Sequence, residues 1–315
     1  MDYIALLAGL GLLFVGGEAM LRGAVGVARR YHLSDVFVGV AVVGFGTSAP
    51  EMFVSVDAAL SHQPNIALGN VIGSNTANLL LILGTGALIR TIRTRARDVR
   101  NDALMMTLGM ALLAAIVIGG ELSRLIGGAL LLGMAWYMTA SFRIARRKPE
   151  NLDPALAEFT APRMRMPILI GLIVGGLVGL AAGSELLIYG AVNIAEAIGV
   201  SDRVIGVSIV AVGTSLPELA TTIVAARRGQ SDVAIGNILG SCVFNVFAIL
   251  GVTAIVAPFA IATSAFMIDI AVMGLASCVA LGLALTAIPI GRLAGIVLLT
   301  MYAAYMAFLF LGPPA

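Results

Sequence analysis

Residues 44–51, Gly-Phe-Gly-Thr-Ser-Ala-Pro-Glu, return 167 positions later as residues 211–218, Ala-Val-Gly-Thr-Ser-Leu-Pro-Glu. Each stretch interrupts a long apolar run with a proline followed by a carboxylate. Proline lacks an amide donor and its ring clashes with the carbonyl four residues earlier, so both Gly-Thr-Ser stretches are expected to be locally unwound, with free carbonyls. At membrane depth such carbonyls need a cation, water or another polar partner. A carboxylate at a helix centre adds a cost of about 2.5 to 3.5 kcal/mol even on the lenient insertion scale. One such site reads as a kink. Two in equivalent positions, carrying Glu51 and Glu218, read as a shared cation-binding centre.

The flanking sequence is that of a membrane protein. Of 315 residues, 60% are hydrophobic and 11% charged, with a mean hydropathy of +1.03, too few charges to solvate the surface of soluble domains. Ten apolar segments are long enough to span a bilayer: 3–28, 35–60, 66–89, 102–119, 123–142, 167–195, 203–226, 233–258, 264–286 and 292–311. No basic region or small-residue cleavage site precedes the first of them, so it is expected to remain as a membrane helix. Residues 143–166 carry Arg146, Arg147, Lys148, Pro149, Glu150, Asp153, Pro154, Glu158 and Pro162 and read as a linker too short to fold alone. They separate a first half, 1–142, from a second, 167–315, with five spans each.

Alternating the ends of ten spans places seventeen of the nineteen Lys and Arg residues on one side, leaving Arg124 and Arg203 on the other. The positive-inside rule then puts the linker in the cytoplasm and both termini outside. The offset of 167 continues through Glu18/Glu185, Asp35/Asp202, Gly39/Gly206, Asn70/Asn237, Ser74/Ser241, Asn78/Asn245 and Gly84/Gly251. A repeat unit with an odd number of spans enters the membrane from opposite sides in its two copies. The expected fold is therefore all-α, ten transmembrane helices arranged as two inverted five-helix repeats, a build common among secondary transporters.

Glu51 and Asn78 straddle the polar turn at Ser61–Asn65 almost evenly, and Glu218 and Asn245 straddle Gly229–Asp232 in the same way. About thirteen residues each way, less a few for the turn, give roughly 15 Å at a rise of ~1.5 Å per residue, half the hydrocarbon thickness. The polar groups are thus expected at the midplane. Ser74 and Asn78, like Ser241 and Asn245, lie at i and i+4 on one helix face, with glycines that permit close approach. Two carboxylates with amide, hydroxyl and carbonyl oxygens suit Ca²⁺ in charge and hardness, and the neutral oxygens suit Na⁺.

The paired Gly-Thr-Ser-x-Pro-Glu and Gly-Asn-x-x-Gly-Ser motifs resemble those of the cation/calcium exchanger superfamily, specifically prokaryotic sodium/calcium antiporters, over essentially the whole chain. The resemblance implies a Ca²⁺ site using Glu51 and Glu218 with the carbonyls of Thr47 and Thr214. It places Na⁺ sites at Ser48, Ser215, Ser74, Ser241, Asn78 and Asn245 and at the carbonyls of Gly44 and Ala211. It implies Na⁺ and Ca²⁺ as substrates, no cofactor, and residence in a prokaryotic plasma (inner) membrane. Some members carry Asp where this chain has Asn245, which removes a third carboxylate here.

Other polar residues have plainer readings. Glu18 and Glu185 can anchor their helices to neighbours, and Asp57, six residues after Glu51, points away from it into solvent. Asp269 is read as structural and without an acidic counterpart, His32 and His62 as loop residues, and Cys242 and Cys278 as packing. A net charge of +2 without basic-aromatic interleaving excludes a nucleic-acid partner. The residues alone leave a Ca²⁺/H⁺ exchanger or a cation channel as alternatives to Na⁺/Ca²⁺ antiport. An intramembrane enzyme lacks a base, since no His or Lys accompanies Ser48 or Ser215 within the spans. Glycine-rich segments one and six are expected to slide against the four central helices and gate opposite faces. The resemblance, in which potassium-dependent members carry Asp where this chain has Asn245, also implies independence from K⁺: Na⁺-driven Ca²⁺ uptake measured with K⁺ replaced by choline is expected to proceed at an unchanged rate.

Overall fold

The computed structural model describes residues 2–31, 34–93, 95–147, 164–197, 211–286 and 288–311. The chain opens with α1 (Asp2–Tyr31), then the bent pair α2 (Gly39–Thr47) and α3 (Ala49–Leu60), which meet at 46°. A tight turn through His62 leads to α4 (Pro64–Ile89), followed by α5 (Ala96–Gly119) and α6 (Arg124–Arg147). Beyond the linker come α7 (Met166–Ala197), a short α8 (Ala211–Thr214), α9 (Leu216–Arg227), α10 (Ser231–Val256), α11 (Thr263–Thr286) and α12 (Arg292–Leu311). Eight of these helices are long and apolar enough to cross a bilayer, or nine when the bent pair counts as one span. The remaining expected span, 203–226, is described only from Ala211 onward; residues 203–210, like His32, lie outside the described residues.

Burial sorts the helices into layers. The apolar windows of α4 and α10 are 78% and 89% buried, against 17% for α6 and α12. The two central helices carry the polar motifs, and the outer ones turn Leu125, Leu132, Trp136 and Leu293 outward. Such a continuous apolar exterior calls for lipid. Around the centre, α3 packs on α4 and α9 on α10, while α5 lies against α11. The fifth helix of each half crosses over: α6 packs on the end of α10, and α12 on the end of α4. Loops cross as well, departing slightly from the all-helical expectation. β1 (Glu121–Leu122) pairs antiparallel with β2 (Phe259–Ala260), and Ile92 bridges Ile290.

The glycines of α1 and α7 correct one expectation. A Cβ built on Gly176 would lie 2.6 Å from the Met20 amide nitrogen, and one on Gly16 would lie 2.8 Å from that of Leu180. Gly16 and Gly176 thus face the partner helix and not the centre, whereas Gly17 faces Ala220 and Val224 of α9. Close backbone approach gains dispersion contacts where no hydrophobic effect operates, so the two helices form one unit. That unit is tied to the centre at Glu18, which accepts from Arg22 at 2.7 Å on its own helix and from Arg228 just beyond α9 at 2.6 Å. Glu18 therefore takes the anchoring role. Glu185 is exposed, and the positions equivalent to Arg22 and Arg228 are Tyr189 and Ser61, which carry no positive charge.

Gly176→Leu is expected to force α1 and α7 apart and lower the midpoint of thermal unfolding in detergent, at a cost of about 1 to 3 kcal/mol. Gly175→Ala, on the outward face with open space around it, is expected to leave that midpoint unchanged.

Candidate functional site

The proline breaks are narrower than the sequence suggests. Helical geometry persists through Thr47 and Thr214, and only Ser48 (φ −83°, ψ 10°) and Ser215 (φ −90°, ψ 8°) leave it. Pro50 and Pro217 stand at the start of α3 and α9, where a missing amide costs nothing, so the bend alone relieves the ring clash. Fewer carbonyls are freed than an unwound stretch would release. That of Gly213, four residues before Pro217, accepts from the Ser184 hydroxyl at 2.5 Å, and that of Gly44 accepts from Ser48 N and Ser241 Oγ, both at 3.3 Å.

Restarting a helix at the break places Glu51 in the first turn of α3 and Glu218 in the first turn of α9, where the positive end of the helix dipole favours a carboxylate. The two are 2% and 1% exposed. Ser48 Oγ donates to Glu218 Oε1 at 2.8 Å, and Ser215 Oγ donates to Glu51 Oε1 at 3.2 Å. Each glutamate is thus held by the serine at the other half's break. Each keeps its second oxygen, Oε2, buried without a hydrogen-bond partner among the described residues.

A second reciprocal set seats the glutamates' backbones. Asn70 Nδ2 donates to Glu51 O at 3.0 Å and to Ser55 Oγ at 2.9 Å; Asn237 Nδ2 reaches Glu218 O at 3.2 Å and Thr222 Oγ1 at 2.9 Å. Thr47 Oγ1 and Thr214 Oγ1 lie 3.4 Å from the amide oxygens of Asn237 and Asn70, the asparagines of the opposite halves. Sequence reading used Asn70 and Asn237 only as markers of the repeat and passed over Ser55 and Thr222. The signal was present, because those two positions also stand 167 apart.

Ser74, Asn78, Ser241 and Asn245 complete the cluster, all buried on the central helices. Each helix widens into a π-helical turn beginning at its asparagine, Asn78–Ile82 and Asn245–Leu250, a departure that recurs at functional sites. Asn78 Oδ1, Asn245 Oδ1 and Ser74 Oγ also lack partners among the described residues. With the two glutamate oxygens, five buried oxygens have unengaged lone pairs, and native interiors rarely leave such atoms unsatisfied. The structure brings together the side chains of Thr47, Ser48, Glu51, Thr214, Ser215 and Glu218 with those of the two central helices. Ala211 stands at the start of α8, three residues before Thr214. No group of three or more His, Cys, Asp or Glu side chains exists among the described residues, so the cluster is one of hard oxygens around two charges. Its chemistry is that of a hard-cation binder.

Outside the cluster, Asp57 and His62 are exposed, as the sequence suggests. Cys242 is buried beside the site, but Cys278 is exposed on α11 and is not a core residue. Asp269 requires a correction: its counterpart at the offset of 167 is Asp102. Both are bonded in the same manner, Tyr137 OH donating to Asp102 Oδ1 and Tyr305 OH to Asp269 Oδ1, each at 2.7 Å. The two pairs pin α6 to α5 and α12 to α11. The tyrosines stand 168 apart, one residue out of register, which hides the pairing from a strict comparison of the halves.

The family model described as sodium/calcium exchanger protein matches residues 1–143 and 168–311. CaxA of Alkalimonas amylolytica is 35% identical over 317 residues, covering 98% of both chains. The sodium/calcium exchanger MaX1 of Methanosarcina acetivorans is 29% identical over 344 residues, again 98% of both. Among solved structures, the sodium-calcium exchanger NCX_Mj soaked with zero Na⁺ and Ca²⁺ superposes with a TM-score of 0.84 at 31% identity, covering 98% of each chain.

Removing the hydroxyl in Tyr137→Phe deprives a buried carboxyl of a donor and is expected to lower stability in detergent by about 1 to 2 kcal/mol. Tyr305→Phe is expected to cost less, because Asp269 is only partly buried; paired thermal melts check the order.

Proposed function

The chain belongs to the sodium/calcium exchanger family, a family of membrane antiporters, and from that premise we propose how it exchanges Na⁺ for Ca²⁺. One site at the bilayer midplane, opened alternately to the two faces, takes either one Ca²⁺ or a set of Na⁺ ions. Ca²⁺ is held by Glu51 and Glu218 with the carbonyls of Thr47 and Thr214. Na⁺ ions use Ser48, Ser215, Ser74, Ser241, Asn78 and Asn245 with the carbonyls of Gly44 and Ala211. A carbonyl oxygen has two lone pairs, so that of Gly44 can serve an ion while still accepting from Ser241.

The observation that carries this reading is the reciprocal Ser–Glu pairing, which presents one unengaged oxygen from each carboxylate. Two desolvated negative charges without counter-ions are costly, so movement of the loaded site is far cheaper than movement of the bare one. Exchange follows from that inequality. Burial of both glutamates to 2% exposure or less supports a carrier over an open pore.

The same reading assigns the two halves, 1–142 and 167–315, to inverted five-helix repeats joined by a cytoplasmic linker, 143–166. The tenth span is completed by the residues before Ala211. Both termini face outward from a prokaryotic plasma (inner) membrane. The hydrogen bonds repeated at the offset of 167 and the one-sided distribution of Arg and Lys support this assignment. A relative from Escherichia coli, 31% identical over 278 residues, bears the name inner membrane protein YrbG.

Proteoliposomes test the proposal. An imposed Na⁺ gradient is expected to drive Ca²⁺ uptake and an imposed pH gradient is not; the reverse result would indicate H⁺ coupling. Glu51→Gln and Glu218→Gln are each expected to abolish uptake while the protein stays folded in detergent, because Ca²⁺ then faces a site with half its charge. Near-normal exchange in either variant would remove the glutamates from the site.

A further inference from the structure

We propose that Asn75 is a positioning residue for Na⁺, acting through Asn245; this rests on the assignment of Asn245 to the cation site. Asn75 is fully buried on α4, and its Oδ1 accepts from Asn245 Nδ2 at 3.2 Å, from one central helix to the other. An amide has one accepting end and one donating end. With the donating end of Asn245 committed to Asn75, its Oδ1 is left buried and without a partner among the described residues, placed to serve a cation. Turned over, the same amide would present N–H groups to the site and repel a positive charge. An acceptor at position 75 therefore selects the orientation that a cation needs.

Two further observations support a role beyond packing. Asn75 Nδ2 has no acceptor among the described residues, an unfavourable arrangement that an apolar side chain of similar size would avoid. The position equivalent to Asn75, 167 residues on, is Cys242, whose thiol is a weak acceptor. The repeat thus keeps both site asparagines, Asn78 and Asn245, but supplies an amide partner to only one of them. The consequence is an uneven site: the Asn245 amide is turned by an amide oxygen, whereas Asn78 meets the thiol of Cys242, a weaker acceptor.

The test is Na⁺-dependent Ca²⁺ exchange in proteoliposomes, with half-saturating Na⁺ and half-saturating Ca²⁺ read separately. Asn75→Leu removes the acceptor at similar volume, and Asn75→Cys installs the residue that the other half tolerates at this place. Each is expected to raise half-saturating Na⁺ roughly threefold to tenfold, the range for one hydrogen bond, and to move half-saturating Ca²⁺ less than twofold, as the glutamates hold that ion. In an Asn245→Ala background, Asn75→Leu is expected to add nothing. A full additional shift in that background, or no shift in half-saturating Na⁺ from either Asn75 variant alone, would overturn the inference. Asn245→Ala alone reports on the underlying assignment: if it leaves half-saturating Na⁺ unchanged, the site reading itself fails. If the Leu variant does not fold, the Cys variant carries the same comparison.

Discussion

Each of the two buried glutamates is held by a serine from the opposite half of the chain, Ser48 for Glu218 and Ser215 for Glu51. Neither half can build its own carboxylate site. Two carboxylates in a low-dielectric interior are costly, and cross-bonding and the helix termini offset part of that cost. The surrounding architecture serves that constraint. Pro50 and Pro217 restart helices beneath the carboxylates, Asn70 and Asn237 hold the glutamate backbones, and the two most buried helices supply the neutral oxygens.

Interlocking continues outward. The fifth helix of each half packs on the third helix of the other, and the loops at the helix ends pair across the halves. Tyrosine–aspartate bonds, one buried and one partly buried, fasten the outer helices to this centre. Against it lies the α1–α7 unit, joined by glycine contacts on its inner seam and exposed on its outer face. Motion of α1 and α7 as one body disturbs fewer polar bonds than any rearrangement within the centre.

The halves differ where the α1–α7 unit meets the centre and within the buried polar cluster. Glu18 bonds Arg228, but Glu185 faces no basic residue at the equivalent place. Ser184 caps the carbonyl freed by Pro217, whereas position 17, its equivalent, is glycine. Asn75 faces Asn245, and its equivalent is Cys242. A perfectly two-fold site would treat both faces and all its neutral oxygens alike. These substitutions break the equivalence of the two halves at three places.

Hydropathy, charge and the offset of 167 between matching residues were legible in the sequence, because each is a property of residue type summed along the chain. They define the spans, the identity of the polar residues and the oxygen character of the site. The extent of the helix break was overestimated, since the proline effect is local but its relief by bending is not. The Asp102–Asp269 correspondence was available at the same offset and was obscured by a one-residue slip between their tyrosines. Which serine holds which glutamate, which way the Asn245 amide turns, and whether the α1 glycines face α7 or the centre were decided only by the tertiary structure. Those outcomes depend on how helices distant in the chain rotate and cross, and residue spacing within one helix fixes a face without fixing what that face meets.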